Sequence, residues 1–180
     1  AVGTAGTTQA ESGEADVLSI GGSVTEIVVA LGQEHRLRAR DATSSHPPSV
    51  TDLPDVGYMR ALSPEGVLSV GPSLILSEEG AGPPEALDVI RAADIAFVEV
   101  PEAYSAEGIV QKVRIVGEAL DVPTRADALA ETLEADLAAA LALAEAGADA
   151  PKRVMFVMST QGGRIMASGT GTAADAIIRM

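Results

Sequence analysis

Short apolar runs alternate with helical stretches between residues 17 and 120, and that alternation restricts the fold more than any other feature of this chain. Val17-Leu18-Ser19-Ile20 is a strand-length run that ends in Gly21-Gly22. Ser23-Val24-Thr25-Glu26 follows with the S-x-x-E pattern of a helix start, and Gly32 supplies a stop. Leu37 to Ala42, Ser73 to Ser77 and Ala96 to Val100 are predicted as further strands. Ser63-Pro64, Pro83-Pro84 and Ser105 open the intervening helices, the prolines standing in the first turn, where a missing N–H is harmless. Strands that alternate with helices predict a parallel, doubly wound, Rossmann-like α/β lobe over residues 16–122.

The pattern then changes. An uninterrupted helical stretch runs from Thr124 to Ala146, with Thr124 and Asp127 placed as a capping box and Gly147 as the stop. Leu129, Leu133, Leu137 and Leu141 form a single apolar stripe. At ~1.5 Å per residue the stretch is about 33 Å long, the width of a domain. A linking helix over 123–148 is therefore predicted. Strand signals resume at Arg153 to Ser159 and Arg164 to Ala167, around the turn Gln161-Gly162-Gly163. Gly169-Thr170-Gly171-Thr172 then leads into a helix with Thr172 and Asp175 as a third capping box. That helix is still apolar at Ile177-Ile178 when the sequence reaches Met180. Residues 149–180 are thus expected to be the incomplete start of a second α/β lobe. Residues 1–15 are small, polar and unpatterned, and a flexible leader is expected there. A mature exported chain and an unstructured start to a cytosolic protein both fit it.

Composition narrows the partners. Apolar residues make up 47% of the 180 and aromatics only 2%, so a core is available but must be built from Leu, Val, Ile, Ala and Met. A net charge of -14 argues against nucleic acid and anionic membrane, both of which need a basic surface. The absence of cysteine excludes disulfides, thiolate metal sites and a Cys nucleophile. No segment reaches the ~18 consecutive apolar residues of a membrane span, so direct membrane insertion is not expected.

The chemistry-bearing residues cluster after the second strand. Thr43-Ser44-Ser45-His46-Pro47-Pro48 puts one of two histidines on a proline-bounded loop, at the end where open α/β sheets hold ligands. Neutral imidazole is the commonest metal ligand, although a lone histidine is often only a surface residue. Without cysteine or a neighbouring histidine a tetrahedral zinc site is implausible, whereas one axial histidine suffices for a haem iron. Tyr58 either forms a pocket wall or packs under the loop. Arg60 shares its face in an extended segment and meets either a ligand carboxylate or a surface acid. His35, just past a helix stop, is expected to be exposed and inert. Gly169-Thr170-Gly171-Thr172-Ala173-Ala174 fits G-x-G-x-x-A, a weak dinucleotide fingerprint that leaves a Rossmann-type nucleotide-binding enzyme as an alternative. No acid pair is placed for acid–base work and no nucleophile motif occurs, so no catalytic residue is assigned and an enzyme is not expected.

In combination these segments resemble the haem-binding periplasmic proteins of bacterial haem-uptake ABC transporters. The likeness rests on Ser19 to Glu26, the Thr-Ser-Ser-His-Pro loop, Leu53 to Arg60, Leu62 to Ser69, Gly80 to Pro84, and the run from Gly162 through Asp175. It implies two α/β lobes bridged by one long helix, with haem clamped between them, in an extracytoplasmic protein that delivers haem to an ABC permease. The family usually has tyrosine where this chain has His46. The resemblance thus implies His46 as the axial ligand, Tyr58 and Arg60 in the haem pocket, and Glu65 as the glutamate that docks on the permease. An imidazole ligand loses affinity when protonated, so acid-triggered release governed by His46 is expected. A carrier of a ferric siderophore or corrinoid is the alternative within the same architecture. The matching docking glutamate of the second lobe would lie beyond Met180.

Overall fold

The structure is a computed structural model that describes residues 14–147 and 152–180. The leader expected over 1–15 falls almost wholly outside the described residues, as does the boundary expected at 148/149. The elements in chain order are β1 (Val17–Ile20), α1 (Gly22–Ala30), β2 (Leu37–Arg40), α2 (Pro64–Ser69), β3 (Leu74–Glu78), α3 (Pro84–Arg91), β4 (Ala96–Val100), α4 (Ala106–Ala119), α5 (Pro123–Ala146), β5 (Val157–Ser159), β6 (Met166–Ala167) and α6 (Ala173–Arg179). Two compact units form. Of the described residues, one holds those up to Ser77 together with Ala81–Val98, and the other holds Glu78–Gly80 with those from Glu99 to Met180.

The α/β expectation holds. The larger sheet has the order β2-β1-β3-β4, with β1 parallel to both of its neighbours. Every residue of the central strand β1 is buried, which is why it reads as an apolar run rather than an alternating one. Leu18, Ile20, Val67, Ile75, Leu87 and Ile90 anchor the core of this unit, and half-buried Phe97 packs against it under the Arg91 guanidinium. Below the sheet, Asp16 accepts hydrogen bonds from Arg36 Nε and Nη2, both at 2.9 Å, and from Ser73 Oγ at 3.0 Å.

The Arg36 fork holds the Asp16 carboxyl below its ordinary value of 3.8. A depressed folded-state value means stability that is fully present above the unfolded value and is lost as pH falls through the folded one. Asp16→Asn is therefore expected to destabilise the protein at neutral pH and to be near neutral well below pH 3.8. Urea unfolding at the two pH values checks this.

Helix starts depart from expectation twice. Ser63, Ser105 and Thr172 do cap α2, α4 and α6, their hydroxyls accepting from the backbone N–H three residues on. Ser23, however, lies inside α1, which begins at Gly22 behind Gly21. A Cβ on Gly22 would stand 3.1 Å from the Thr43 carbonyl oxygen, a tight approach that a larger residue could keep only if that carbonyl gave by a few tenths of an ångström. Likewise α5 begins at Pro123 with no side-chain cap, which leaves Thr124 in its first turn. Three strands are shorter than expected: β2 ends at Arg40, and β5 and β6 cover only Val157–Ser159 and Met166–Ala167 in an antiparallel pair.

In the second unit α5 packs along α4. Leu129, Leu133, Leu137 and Leu141 are each half-buried, and only Ala126 and Ala130 are fully buried on α5. The tight point is Gly117, where an added Cβ would come within 2.1 Å of Ala126 Cβ. Gly117→Ala is expected to lower stability by about 1–3 kcal/mol through overpacking, seen as a lower urea midpoint at unchanged slope.

Candidate functional site

The candidate site is the segment between β2 and α2, at the C-terminal ends of β1 and β2. Its foundation is Asp41, the residue that follows β2 and is fully buried. Asp41 Oδ1 accepts from Gly21 N–H at 2.9 Å and from Ser44 Oγ at 2.7 Å. Asp41 Oδ2 accepts from Thr43 N–H at 2.9 Å and from Thr43 Oγ1 at 2.7 Å. These four donors saturate the carboxylate. Ser44 Oγ lies 2.7 Å from Thr25 Oγ1 on α1, which lies 2.7 Å from Ser19 Oγ in β1. The turn leading to His46 is therefore tied to the central strand and to the first helix.

The other flank is held as firmly. After His46 the chain enters a 3-10 turn, Pro48–Asp52, whose Val50 is fully buried. Arg40 reaches over from β2, donating from Nε to Val50 O and from Nη2 to Thr51 O, and from Nη1 to Asp55 Oδ2 at 3.3 Å. Residues 54–57 then run beside β2, with Arg40 N–H on Pro54 O, Val56 N–H on Arg40 O, and Ala42 N–H on Gly57 O. His46 itself is exposed between these two anchors.

That last hydrogen bond brings the base of the His46 loop against the residue just before Tyr58. Tyr58 is 50% exposed. Arg60 is exposed and makes no ion pair among the described residues. Glu65 is exposed in the first turn of α2, where an acid favours the helix dipole. His35 is exposed in the turn before β2, at the opposite end of that strand from His46.

Among the described residues no group of three or more His, Cys, Asp or Glu side chains could enclose a metal ion. His46 can therefore offer one ligand to a metal whose other positions are already filled by a chelate, as a porphyrin fills them. The glycine loop at 169–171 has a different character. It follows a strand of an antiparallel pair, not the parallel βαβ unit that dinucleotide binding uses. The Gly171 N–H that a phosphate would engage donates instead to Asp175 Oδ2 at 2.9 Å. Asp175, held below the usual carboxylate range by Arg179 and by this amide, fills the position with negative charge. A concavity of about 540 Å³ lies in this second unit between the start of α4 and α6, lined among others by Tyr104, Glu107 and Arg179, and contains no histidine.

Asp41, Thr25 and Arg40, which hold the loop, do not stand out in the sequence as site residues. One local signal was present, since Asp41 followed by Thr43 and Ser44 is the spacing of an Asx turn.

Comparison with known proteins follows the same lines. The periplasmic heme-binding protein RhuT from Roseiflexus sp. RS-1, solved in apo form, is 37% identical with a TM-score of 0.86, over 93% of this chain and 64% of that one. The periplasmic heme-binding protein BhuT in complex with two hemes is also 37% identical, with a TM-score of 0.87, over 91% of this chain and 64% of that one. YvrC of Bacillus subtilis (strain 168), described as an uncharacterized ABC transporter substrate-binding lipoprotein, is 28% identical over 123 residues, 67% of this chain and 39% of its own length. The chain thus spans less than two thirds of the length of these relatives. The family model described as periplasmic binding protein matches residues 17–180, the whole of the α/β fold set out above, and the chain belongs to that family.

Proposed function

We propose that this chain is the haem-holding part of an extracytoplasmic substrate-binding protein that delivers haem to an ABC importer. One observation carries the reading. His46 stands exposed on a loop anchored at both flanks, at the strand ends where α/β sheets receive ligands, in a chain 37% identical to structures described as heme-binding. His46 is the axial ligand of the iron, Tyr58 forms the pocket wall, and Arg60 offers its guanidinium, which makes no ion pair among the described residues, to a haem propionate. Glu65 is the contact for an arginine of the permease. In the whole protein, residues 16–122 form the first lobe and 123–148 the link to a second lobe that begins at 149. The role is carriage, with no catalytic step.

No helix among the described residues is long and apolar enough to cross a membrane. Location outside the cytoplasmic membrane rests on the family and on the lipoprotein name of the Bacillus subtilis relative. Titration with haemin tests the proposal. A saturable shift of the Soret band supports it. Silence with haemin but binding of a ferric siderophore or corrinoid would replace it with the sister reading, and binding of NAD would replace both.

A further inference from the structure

The hydroxyls of Ser19, Thr25 and Ser44 form a chain with a fixed direction. Each carries a single proton. An ionised Asp41 can only accept, so Ser44 gives its proton to Oδ1 at 2.7 Å. Ser44 Oγ must then accept at its 2.7 Å contact, so Thr25 donates to it. Thr25 Oγ1 must in turn accept from Ser19 at 2.7 Å. The competing Thr25 contact, to the Gly21 carbonyl oxygen, is longer at 3.3 Å. Ser19, Thr25, Asp41 and Ser44 are all fully buried, and no side-chain polar atom buried among the described residues lacks a partner. Aligned hydrogen bonds in a dry site polarise and strengthen one another.

We infer that this relay, running from β1 through α1 to Asp41, is a positioning device for His46, and that Thr25 at its midpoint is a positioning residue for haem iron although it lies outside the ligand pocket. The inference rests on the haem reading above. His46 follows Ser44 by two residues, and the backbone between them is already tightly turned. Ser44 N–H donates to Asp41 O at 3.1 Å and Ser45 N–H to Thr43 O at 3.0 Å. An exposed ligand has no packing of its own to fix it. Its direction must come from the buried residue nearest to it, and that residue is Ser44. A valine at position 25 would fill nearly the same space without the hydroxyl's hydrogen bonds, to Ser44, Ser19 and the Gly21 carbonyl.

Thr25→Val and Thr25→Ser separate these roles, because only valine breaks the relay. Thr25→Val is expected to weaken haemin binding by about tenfold and to broaden the Soret band, as loss of a ligand's supporting partner does at metal sites. Thr25→Ser is expected to retain wild-type affinity and spectrum. In a His46→Ala background the valine is expected to change nothing further, since there is then no ligand to position. The inference is overturned if Thr25→Val binds haemin as the wild type does, or weakens it equally with and without His46. A wild-type chain that gives no Soret shift sinks the haem reading instead. The relay's hold on the loop is then read in the ligand-free protein, where Thr25→Val is expected to speed amide exchange at Ser44 and Ser45 by about tenfold or more. Unchanged exchange there overturns the inference independently of haem. Should Thr25→Val fail to fold, Ser19→Ala, at the far end of the relay, serves the same two measurements.

Discussion

Asp41→Ala is expected to cost about 3–5 kcal/mol of folding stability, the largest effect of any single substitution considered for this chain. The carboxylate is fully buried and receives four hydrogen bonds, from Gly21 N–H, Thr43 N–H, Thr43 Oγ1 and Ser44 Oγ. Alanine orphans the Gly21 and Ser44 donors where water cannot reach them, and each unsatisfied buried group costs about 1–3 kcal/mol. Partial relaxation of the exposed Thr43 side of the turn keeps the sum below the arithmetic maximum. Against a typical total of about 5–15 kcal/mol, such a loss leaves the first unit marginal. Urea unfolding should show a much lower midpoint. A loss under about 1 kcal/mol would mean the network contributes little beyond its desolvation, contrary to the description above. Asp41→Asn should fall between the two, since its amide presents a donor where one set of partners also donates.

The second large effect is on binding. His46→Ala is expected to abolish the haemin Soret shift and to weaken binding by about a hundredfold, or ~2.8 kcal/mol. Stability should change by less than about 0.5 kcal/mol, because the side chain is exposed and its loss leaves no buried group unpaired. The pH dependence has a definite sign. A protonated imidazole has no lone pair for iron, so wild-type affinity should fall as the solution is acidified, and that fall should be absent in His46→Ala. The Tyr58 phenol, on the following loop, is a second group able to bind iron, and Tyr58→Phe tests it: with the ring kept and the phenol lost, the band should stay in place. A His46→Ala protein with an unchanged band, together with a Tyr58→Phe protein that loses it, would move the iron to Tyr58.

Local signals carried most of the architecture. β1, β3 and β4 are apolar runs with a glycine or proline within two residues of an end, and those residues act only over a few positions, whereas β2, Leu-Arg-Ala-Arg, shows itself by alternation. The long helix was legible from its leucine spacing and Gly147, and its observed start at Pro123 differs by one residue from the expected Thr124. Contacts between distant segments were not legible. Ser23 has every local property of an N-cap, yet the helix begins before it, at Gly22, where the chain passes close to the Thr43 carbonyl. The same approach brings Gly21 N–H onto Asp41, twenty residues later in the chain. Gly117 gave no hint of its contact with Ala126, since nothing local marks a glycine that a neighbouring helix occupies.

At the site, the histidine was legible because prolines and small polar residues leave it no core position. Its support was not. Thr25 lies inside a helix and Ser19 inside a buried strand, where sequence pattern assigns hydroxyls no particular task. Only the fold that closes β1, α1 and the β2 loop together gives those hydroxyls an order.

The central claim, that His46 binds haem iron, is tested most directly by electron paramagnetic resonance of the ferric haemin complex, prepared with histidine labelled in both ring nitrogens with a heavy isotope. Only two histidines exist, so the label reports on His35 and His46 alone. The expected result is a labelled-nitrogen hyperfine coupling that survives His35→Ala and disappears in His46→Ala. A complex that shows no labelled coupling, or one whose coupling outlasts His46→Ala, contradicts it.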